Sequence, residues 1–259
     1  MEFSRGGGFV FKAVLADSRI WKNVIDSIST LVEEGVFIAD PSGIRLRAMD
    51  PSRVAMVDME LPKAAFESYD CAQEMPIGVN FDDMKNIMKR TGSNEKLELE
   101  KLDEEARLKI RFKGKSSRTF SLPLLDLGKE ELSAPRISFN ATLKIPANTL
   151  MEAIKDAEVV SDFVKITAED NQMKIAASGD RGEVDVVITK ESGELLSVEQ
   201  KEGAHALYSL TYLSKMMAAS SLSEIAVLMF STDMPMRLDF NPSSGGKIVY
   251  YLAPRMEAE

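Results

Sequence analysis

The sequence predicts an α+β protein built from one unit used twice, each copy carrying two helices packed on antiparallel sheets. Three observations carry that expectation. Two pairs of amphipathic helical patterns recur about 130 residues apart. Each long pattern is followed by a strand, a tight turn and a second strand. Much of the remainder alternates apolar and polar residues with the two-residue period of strands buried on one face.

In the first copy, residues 17–32 bring Ile20, Trp21, Val24, Ile25, Ile28, Leu31 and Val32 onto one helical stripe. Strand Val36-Phe37-Ile38, the turn Asp40-Pro41-Ser42-Gly43 and strand Ile44-Arg45-Leu46 follow, with Pro and Gly where a type I turn favours them. A strand is expected over Arg53–Leu61 and a short helix over 80–91, whose stripe is Phe81, Met84, Ile87 and Met88. Leu97–Glu100 and Leu108–Phe112 alternate as half-buried strands do. Residues Leu122–Pro135 combine Pro123, Gly128 and Pro135 with an acidic turn at Lys129-Glu130-Glu131, which suits an extended crossover.

The second copy repeats the order. A helix over 147–161 buries Leu150, Ala153, Ile154, Ala157 and Val160. Strands Phe163–Thr167 and Met173–Ala176 flank a turn at Asp170-Asn171. Strand Glu183–Lys190 matches Arg53–Leu61, and a helix within 207–220 (Leu210, Leu213, Met216, Met217) matches the one at Phe81. Ile225–Phe230 reads as a further strand. The chain divides into a domain at 1–126, a connector at 127–136 and a domain at 137–259.

Composition narrows the function. No apolar run reaches the roughly 18–20 residues of a membrane span, and Met1–Gly8 lacks the apolar core of a signal peptide. One cysteine, Cys71, allows no intrachain disulfide, so a soluble intracellular protein is expected. The net charge of −9 argues against a conventional DNA-reading module, which carries a basic excess. It leaves room for a protein held on DNA by topology, provided positive charge is gathered on one surface. The four helical segments hold seven basic and seven acidic residues, so the acidic excess lies on strands, loops and tails. Asp17, Asp82 and Asp83 sit at helix starts, where they complement the macrodipole.

Enzymatic motifs are missing. There is no GxxxxGK[ST] and no GxGxxG, and one His with one Cys cannot build a zinc site. His205 has no nucleophile at motif spacing, and the Asp82-Asp83 pair reads as helix capping before it reads as a cation site. No enzymatic activity, cofactor or metal is expected.

Short segments then carry a resemblance. Leu46-Arg47-Ala48-Met49-Asp50-Pro51-Ser52-Arg53-Val54 and Tyr251-Leu252-Ala253-Pro254-Arg255 with its acidic tail resemble segments of the proliferating cell nuclear antigen (PCNA) family, in particular its archaeal forms. So do Asp233-Met234-Pro235-Met236, Ser209-Leu210-Thr211-Tyr212-Leu213-Ser214, and Lys155-Asp156-Ala157 leading to Val160-Ser161-Asp162. They occur in family order from Phe9 to Met256; the Gly-rich leader Met1–Gly8 is not part of the resemblance.

The resemblance implies a DNA-clamp fold, a homotrimeric ring of six domains with helices lining the hole, and a processivity role in DNA replication and repair. It implies sequence-independent encirclement of duplex DNA, loading by a clamp loader ATPase, and short-peptide partners including DNA polymerase, flap endonuclease and DNA ligase. The hole-facing positions would be Lys22, Lys85, Lys89, Lys155 and Lys215, with Arg19 and Arg90. Two further basic positions of eukaryotic members fall here on Ser29 and Thr211. The partner pocket would comprise Met49, Arg53, Val54, Met56, Leu132, Ala134, Pro235, Tyr251, Ala253 and Pro254. The subunit interface would pair an edge strand holding Lys109, Ile110, Arg111 and Phe112 with one holding Asp185, Val186 and Val187, with Arg90 of one subunit facing Glu152 of the next. The location follows the source: cytoplasmic and nucleoid-associated in an archaeon, nuclear in a eukaryote. Two alternatives stay open: a subunit of a heterotrimeric clamp, and an acidic protein-binding scaffold that never touches DNA.

Overall fold

A computed structural model describes residues 9–102, 106–128 and 132–256. The leader Met1–Gly8, the acidic turn at Lys129-Glu130-Glu131 and the last three residues of the acidic tail lie outside the described residues. The chain packs as two compact units. The first takes the described residues up to Ala48, then Met59–Leu132 and Ser244–Gly246; the second takes Met49–Asp58, Ser133–Ser243 and the residues from Lys247 onward. The division of the sequence repeat near 126 and 137 is thus not the division of the packing, because Met49–Asp58 packs with the second copy.

The first unit runs β1 (Phe9–Leu15), α1 (Ser18–Ser29), β2 (Glu34–Asp40), β3 (Gly43–Met49), the trailing half of β4 (Ala55–Pro62), β5 (Ser68–Cys71), β6 (Met75–Asn80) and α2 (Phe81–Met88). β7 (Lys96–Leu102), β8 (Arg107–Lys113) and β9 (Ser117–Pro123) complete it. One antiparallel sheet has the order β5-β1-β7-β8-β9, and β4, β3, β2 and β6 lie side by side in another. The two-residue turn Pro41-Ser42 joins β2 to β3, with Asp40 opposite Gly43. Gly43 is required there: φ is 149°, and a Cβ would lie 2.3 Å from the Leu61 carbonyl oxygen.

α1 begins where expected, with the Asp17 carboxylate accepting the Arg19 N–H at 2.9 Å. It ends at Ser29, short of Val32, although Leu31 and Val32 are buried just beyond it. The cap of α2 is Asn80, whose side chain accepts from the Asp83 N–H at 3.0 Å. Asp82 and Asp83 therefore sit in the first turn and do not cap it. The stripes of α1 and α2 meet the sheet through Trp21, Phe37 and Phe81, whose ring centres follow one another at 5.2 and 5.6 Å, the first pair tilted and the second edge to face.

The second unit repeats the plan with β10 (Ala141–Pro146), α3 (Ala147–Val160), β11 (Phe163–Glu169), β12 (Gln172–Gly179), β13 (Gly182–Thr189), β14 (Ser197–Gln200) and β15 (Ala204–Ser209). α4 (Leu210–Met216), β16 (Ile225–Phe230), β17 (Met236–Phe240) and β18 (Lys247–Leu252) follow. Its sheets are β13-β12-β11-β15 and the run β14-β10-β16-β17-β18 with the leading half of β4. Asp170 and Asn171 both have positive φ, 50° and 59°, so the β11–β12 hairpin turns through two left-handed residues, as type I′ turns do. The fourth helix is shorter than its apolar pattern. Leu207–Ser209 are claimed by β15, which pairs with Phe163–Lys165, and Met217–Ser221 tighten into a 3₁₀ turn.

One charged group lies inside the first unit's sheet. Glu98 on β7 is 2% exposed and is met by Lys113 at 2.7 Å, Lys12 at 3.4 Å and Arg111. Burial alone would raise its carboxyl; Lys113, Lys12 and Arg111 outweigh that and hold it below the usual range. The stabilisation is present above the unfolded value of about 4.3 and is lost as pH falls through the lower folded value. Glu98→Gln, which leaves three cations round an amide, is expected to destabilise the first unit by about 2–3 kcal/mol at pH 7, read as a lower thermal midpoint. The wild-type advantage should shrink below pH 4.

Candidate functional site

The four helices pair within each unit, α1 with α2 and α3 with α4. Each buries its apolar stripe and presents its polar face outward, and on those faces lie the candidate DNA-contacting cations. Lys89, Arg90, Lys155 and Lys215 are exposed, while Lys22 and Lys85 are half-exposed. Several are already engaged: Arg19 with Asp17 at 2.6 Å, Lys22 with Asp26 one turn on, Lys89 with Asn86 at 2.9 Å and Lys155 with Glu152 at 2.8 Å. The Lys215 ammonium lies 5.8 Å from the centre of the Tyr212 ring. Such exposed pairs contribute only about 0–1 kcal/mol, so the lysines stay exchangeable with an outside anion.

The predicted interface residues need correction. β8 lies between β7 and β9, so it is no edge strand. Ile110 and Phe112 are 0% exposed, inside their own unit's core. Lys109 and Arg111 point to the other face of the same internal strand, where Arg111 is bound to Glu98. On that side the edge is β9, Ser117–Pro123, which among the described residues pairs with β8 alone. β13, carrying Asp185, Val186 and Val187, is an edge strand as expected. Its half-buried Val186 stands opposite Ile175 of β12, and its Val187 is 52% exposed. Glu152 accepts from Lys155 of its own helix, so any bond to Arg90 of another subunit competes with that one.

The pocket candidates converge in part. Met56, Tyr251 and a residue absent from the sequence reading, Val249, form one buried cluster, with Met49 packed at its margin. Arg237 lies beside it, its guanidinium 5.9 Å from the Tyr251 ring and forked onto Asp239 by two 2.7 Å bonds. The Ala253 N–H donates to the Val54 carbonyl at 2.9 Å, which ties the segment before Pro254 to the turn that carries Arg53. Pro235 and Ala134 are half-buried in the same unit. Leu132 belongs to the first unit, where it is half-buried and its carbonyl accepts from Arg47 at 2.9 Å.

The Arg53 turn is a built feature. Arg53 has φ of 58°, a left-handed conformation that costs a non-glycine residue on the order of 1–3 kcal/mol. The Asp50 carboxylate offsets it by accepting from the backbone N–H groups of Ser52, Val54 and Ala55 at 2.9, 2.7 and 2.6 Å. Elsewhere in the second unit, Lys165, His205, Leu207, Asp233 and Met256 line a shallow hollow. Among the described residues no group of three or more His, Cys, Asp or Glu could hold a metal ion, and no helix is long and apolar enough to cross a membrane.

A helix-and-sheet unit repeated along one chain, with two paired helices and a long open edge strand in each copy, is the architecture of the DNA-clamp class of proteins. Comparison with known proteins agrees. The family profile for the proliferating cell nuclear antigen N-terminal domain matches residues 10–131, and that for its C-terminal domain matches residues 133–255. The chain belongs to the proliferating cell nuclear antigen family. It is 39% identical over 247 residues to the DNA polymerase sliding clamp of Thermofilum pendens, covering 95% of this chain and 99% of that one. It is 38% identical over 242 residues to DNA polymerase sliding clamp 1 of Pyrobaculum aerophilum, covering 93% and 96%. Its structure superposes on the crystal structure of PCNA from Thermococcus kodakaraensis with a TM-score of 0.90 at 29% identity, over 95% of this chain and all of that one.

Proposed function

We propose that three copies of this chain close head to tail into a six-domain ring that encircles duplex DNA and holds DNA polymerase on it, as a processivity factor and not as an enzyme. The observation that carries the ring is the pair of long open edges, β9 in one copy of the repeat and β13 in the other. An exposed edge strand invites uncontrolled pairing. A head-to-tail joint of β9 on one protomer with β13 on the next satisfies both, and ring closure leaves neither free. The interface therefore moves from β8 to β9 on one side and keeps Asp185, Val186 and Val187 on the other, with Arg90 and Glu152 as a minor ion pair.

Lys22, Lys85, Lys89, Lys155 and Lys215, with Arg19 and Arg90, supply flexible point charges for phosphate and no bidentate base reading, which suits sliding. The clamp loader ATPase, flap endonuclease and DNA ligase join DNA polymerase as partners that dock through short peptides. The protein acts wherever the DNA is replicated, beside the nucleoid in an archaeon. Sedimentation of the purified chain separates a self-trimer from a protomer that needs different subunits. Retention on nicked circular DNA with loss from linear DNA separates a clamp from an acidic scaffold.

The docking peptide of such partners carries a Gln, a spaced aliphatic residue and an aromatic pair. Burying two aromatic side chains of about 150–250 Å² at roughly 25 cal/mol per Å² gives about 8–12 kcal/mol gross. Ordering and association costs reduce this to micromolar affinity. Tyr251 is 7% exposed within the Met56–Val249 cluster, so truncating it also opens a cavity. Met49 is half-buried at the margin of that cluster and is the cleaner residue to remove. Met49→Ala is expected to weaken peptide binding by about 1–2 kcal/mol, roughly 5–30-fold, with the trimer intact. Fluorescence anisotropy with a labelled peptide checks it; an unchanged Kd places the docking site elsewhere.

A further inference from the structure

We infer that Tyr212 is a positioning residue for the partner-docking turn: its hydroxyl fastens the Asp50–Ala55 turn to α4 and so fixes Arg53 and Val54 for an incoming peptide. The inference rests on the docking site proposed above. It comes from how the Asp50 carboxylate divides its acceptor sites. Oδ1 takes the N–H groups of Val54 and Ala55 at 2.7 and 2.6 Å. Oδ2 takes the Ser52 N–H at 2.9 Å and the Tyr212 hydroxyl at 2.8 Å. Three of these donors belong to the turn itself. The fourth comes from 162 residues further along the chain.

Within the turn the backbone closes on itself, Arg53 N–H to Asp50 carbonyl and Asp50 N–H to Ala55 carbonyl, both at 2.9 Å. These bonds set its shape but attach it to nothing else. Among its attachments to the rest of the second unit are the Val54 carbonyl, which accepts from Ala253, and the Asp50–Tyr212 bond. Val54 is thereby held from two sides, by the segment leading to Pro254 and by α4. A left-handed residue such as Arg53 persists only where its surroundings over-determine it, and Tyr212 supplies the constraint from outside.

The electrostatics keep the bond made. Asp50 is 4% exposed, and burial alone would raise its carboxyl. The bonds from Ala55, Tyr212, Ser52 and Val54 outweigh burial, so it stays ionised and accepting. Burial and the bond to Asp50 push the Tyr212 hydroxyl above its ordinary value, so it stays a donor. The tyrosine ring is placed independently of its hydroxyl, on α4 beside the Lys215 ammonium. Tyr212→Phe therefore removes the bond while keeping the ring.

The test uses the full chain as wild type, Tyr212→Phe, Asp50→Asn and the double variant, with a labelled peptide carrying a Gln, an aliphatic residue and an aromatic pair. A hydrogen bond to a charged acceptor justifies an expected rise in Kd of about tenfold for Tyr212→Phe. The sedimentation coefficient should stay put and the thermal midpoint should fall by only a few degrees, about what the loss of one hydrogen bond costs, while amide exchange speeds up at Ser52, Val54 and Ala55 and not in α1. Adding Tyr212→Phe to Asp50→Asn should weaken binding less than Tyr212→Phe weakens it in the wild type, because the amide has already taken the charged acceptor from that bond. Wild-type affinity in Tyr212→Phe, alongside weakened binding in the Met49→Ala protein, overturns the role of Tyr212 and leaves the docking site standing. Fully additive effects of the two substitutions overturn it as well. A wild-type chain that does not bind the peptide at all removes the docking site, and the inference with it.

Discussion

Val186→Lys is expected to turn the ring into monomers at micromolar concentration while each protomer stays folded. Val186 lies on the open edge strand β13, opposite Ile175 of β12, and is only half-buried in the single chain. A lysine there can reach water from an isolated protomer, so folding costs little. Once another strand covers that edge, the ammonium is trapped without a partner, at a cost of several kcal/mol per joint. A loss of 3 kcal/mol is already about 150-fold in the association constant. Arg90→Ala is the contrasting case. Its ion pair contributes about 0–1 kcal/mol, and Glu152 holds Lys155 at 2.8 Å whether or not Arg90 arrives. Arg90→Ala should therefore remain trimeric. Ile110→Lys tests something else, since Ile110 is 0% exposed and a charge there unfolds the first unit. Sedimentation velocity with circular dichroism separates the three outcomes. A Val186→Lys protein that stays trimeric would falsify the β9–β13 joint, and a monomeric wild type would favour a heteromeric clamp.

Replacing Lys85, Lys89 and Lys155 together by Glu is expected to abolish productive loading on DNA and leave the ring assembled. Each change reverses a charge, so the net charge of −9 moves about six units further negative, all of it on helix faces. The Lys85 ammonium has no ion pair or hydrogen bond among the described residues, the Lys89 ammonium meets a neutral amide, and Lys155 is exposed beside Glu152. None lies in a core, which is why assembly should survive. Wild-type binding should weaken with salt at a log–log slope of roughly −0.9 per phosphate neutralised, and losing three contacts should flatten the slope by about 2.7. Loading assays on nicked circles, and equilibrium binding across a salt series, measure both effects. Marked preference for one DNA sequence, or affinity indifferent to salt, contradicts a sequence-blind electrostatic contact.

Much of this protein was legible in the residues because much of it is local. The stripe Trp21, Val24, Ile25 and Ile28 specifies α1 and its buried face without reference to anything distant. The turns at Pro41-Ser42 and Asp170-Asn171 follow from residues that tolerate the required dihedrals. Duplication was legible because the same local patterns return in the same order. Local signals also misled where a distant partner competed. Leu207–Ser209 extend the apolar pattern of α4, yet they pair with Phe163–Lys165 and become strand. Val249 was hidden in the run Ile248–Leu252, which is buried throughout and shows no alternation.

The edge of the first sheet and the anchor of the docking turn were settled by tertiary structure alone. Arg107–Lys113 alternates as well as an edge strand would, because alternation reports one buried face and says nothing of neighbours on either side. Whether β8 is an edge depends on β9 hydrogen-bonding beside it, and β9 carries only Phe120 and Leu122 as apolar inward residues before Pro123 ends it. In the same way, Asp50 reads as an ordinary turn residue, and its bond to Tyr212 spans 162 residues with no local trace. Periodicity fixes which face of an element is buried, since that depends only on the spacing of its own side chains. Which strand is left unpaired, and which carboxylate finds a distant hydroxyl, depends on contacts that exist only once the chain has closed on itself.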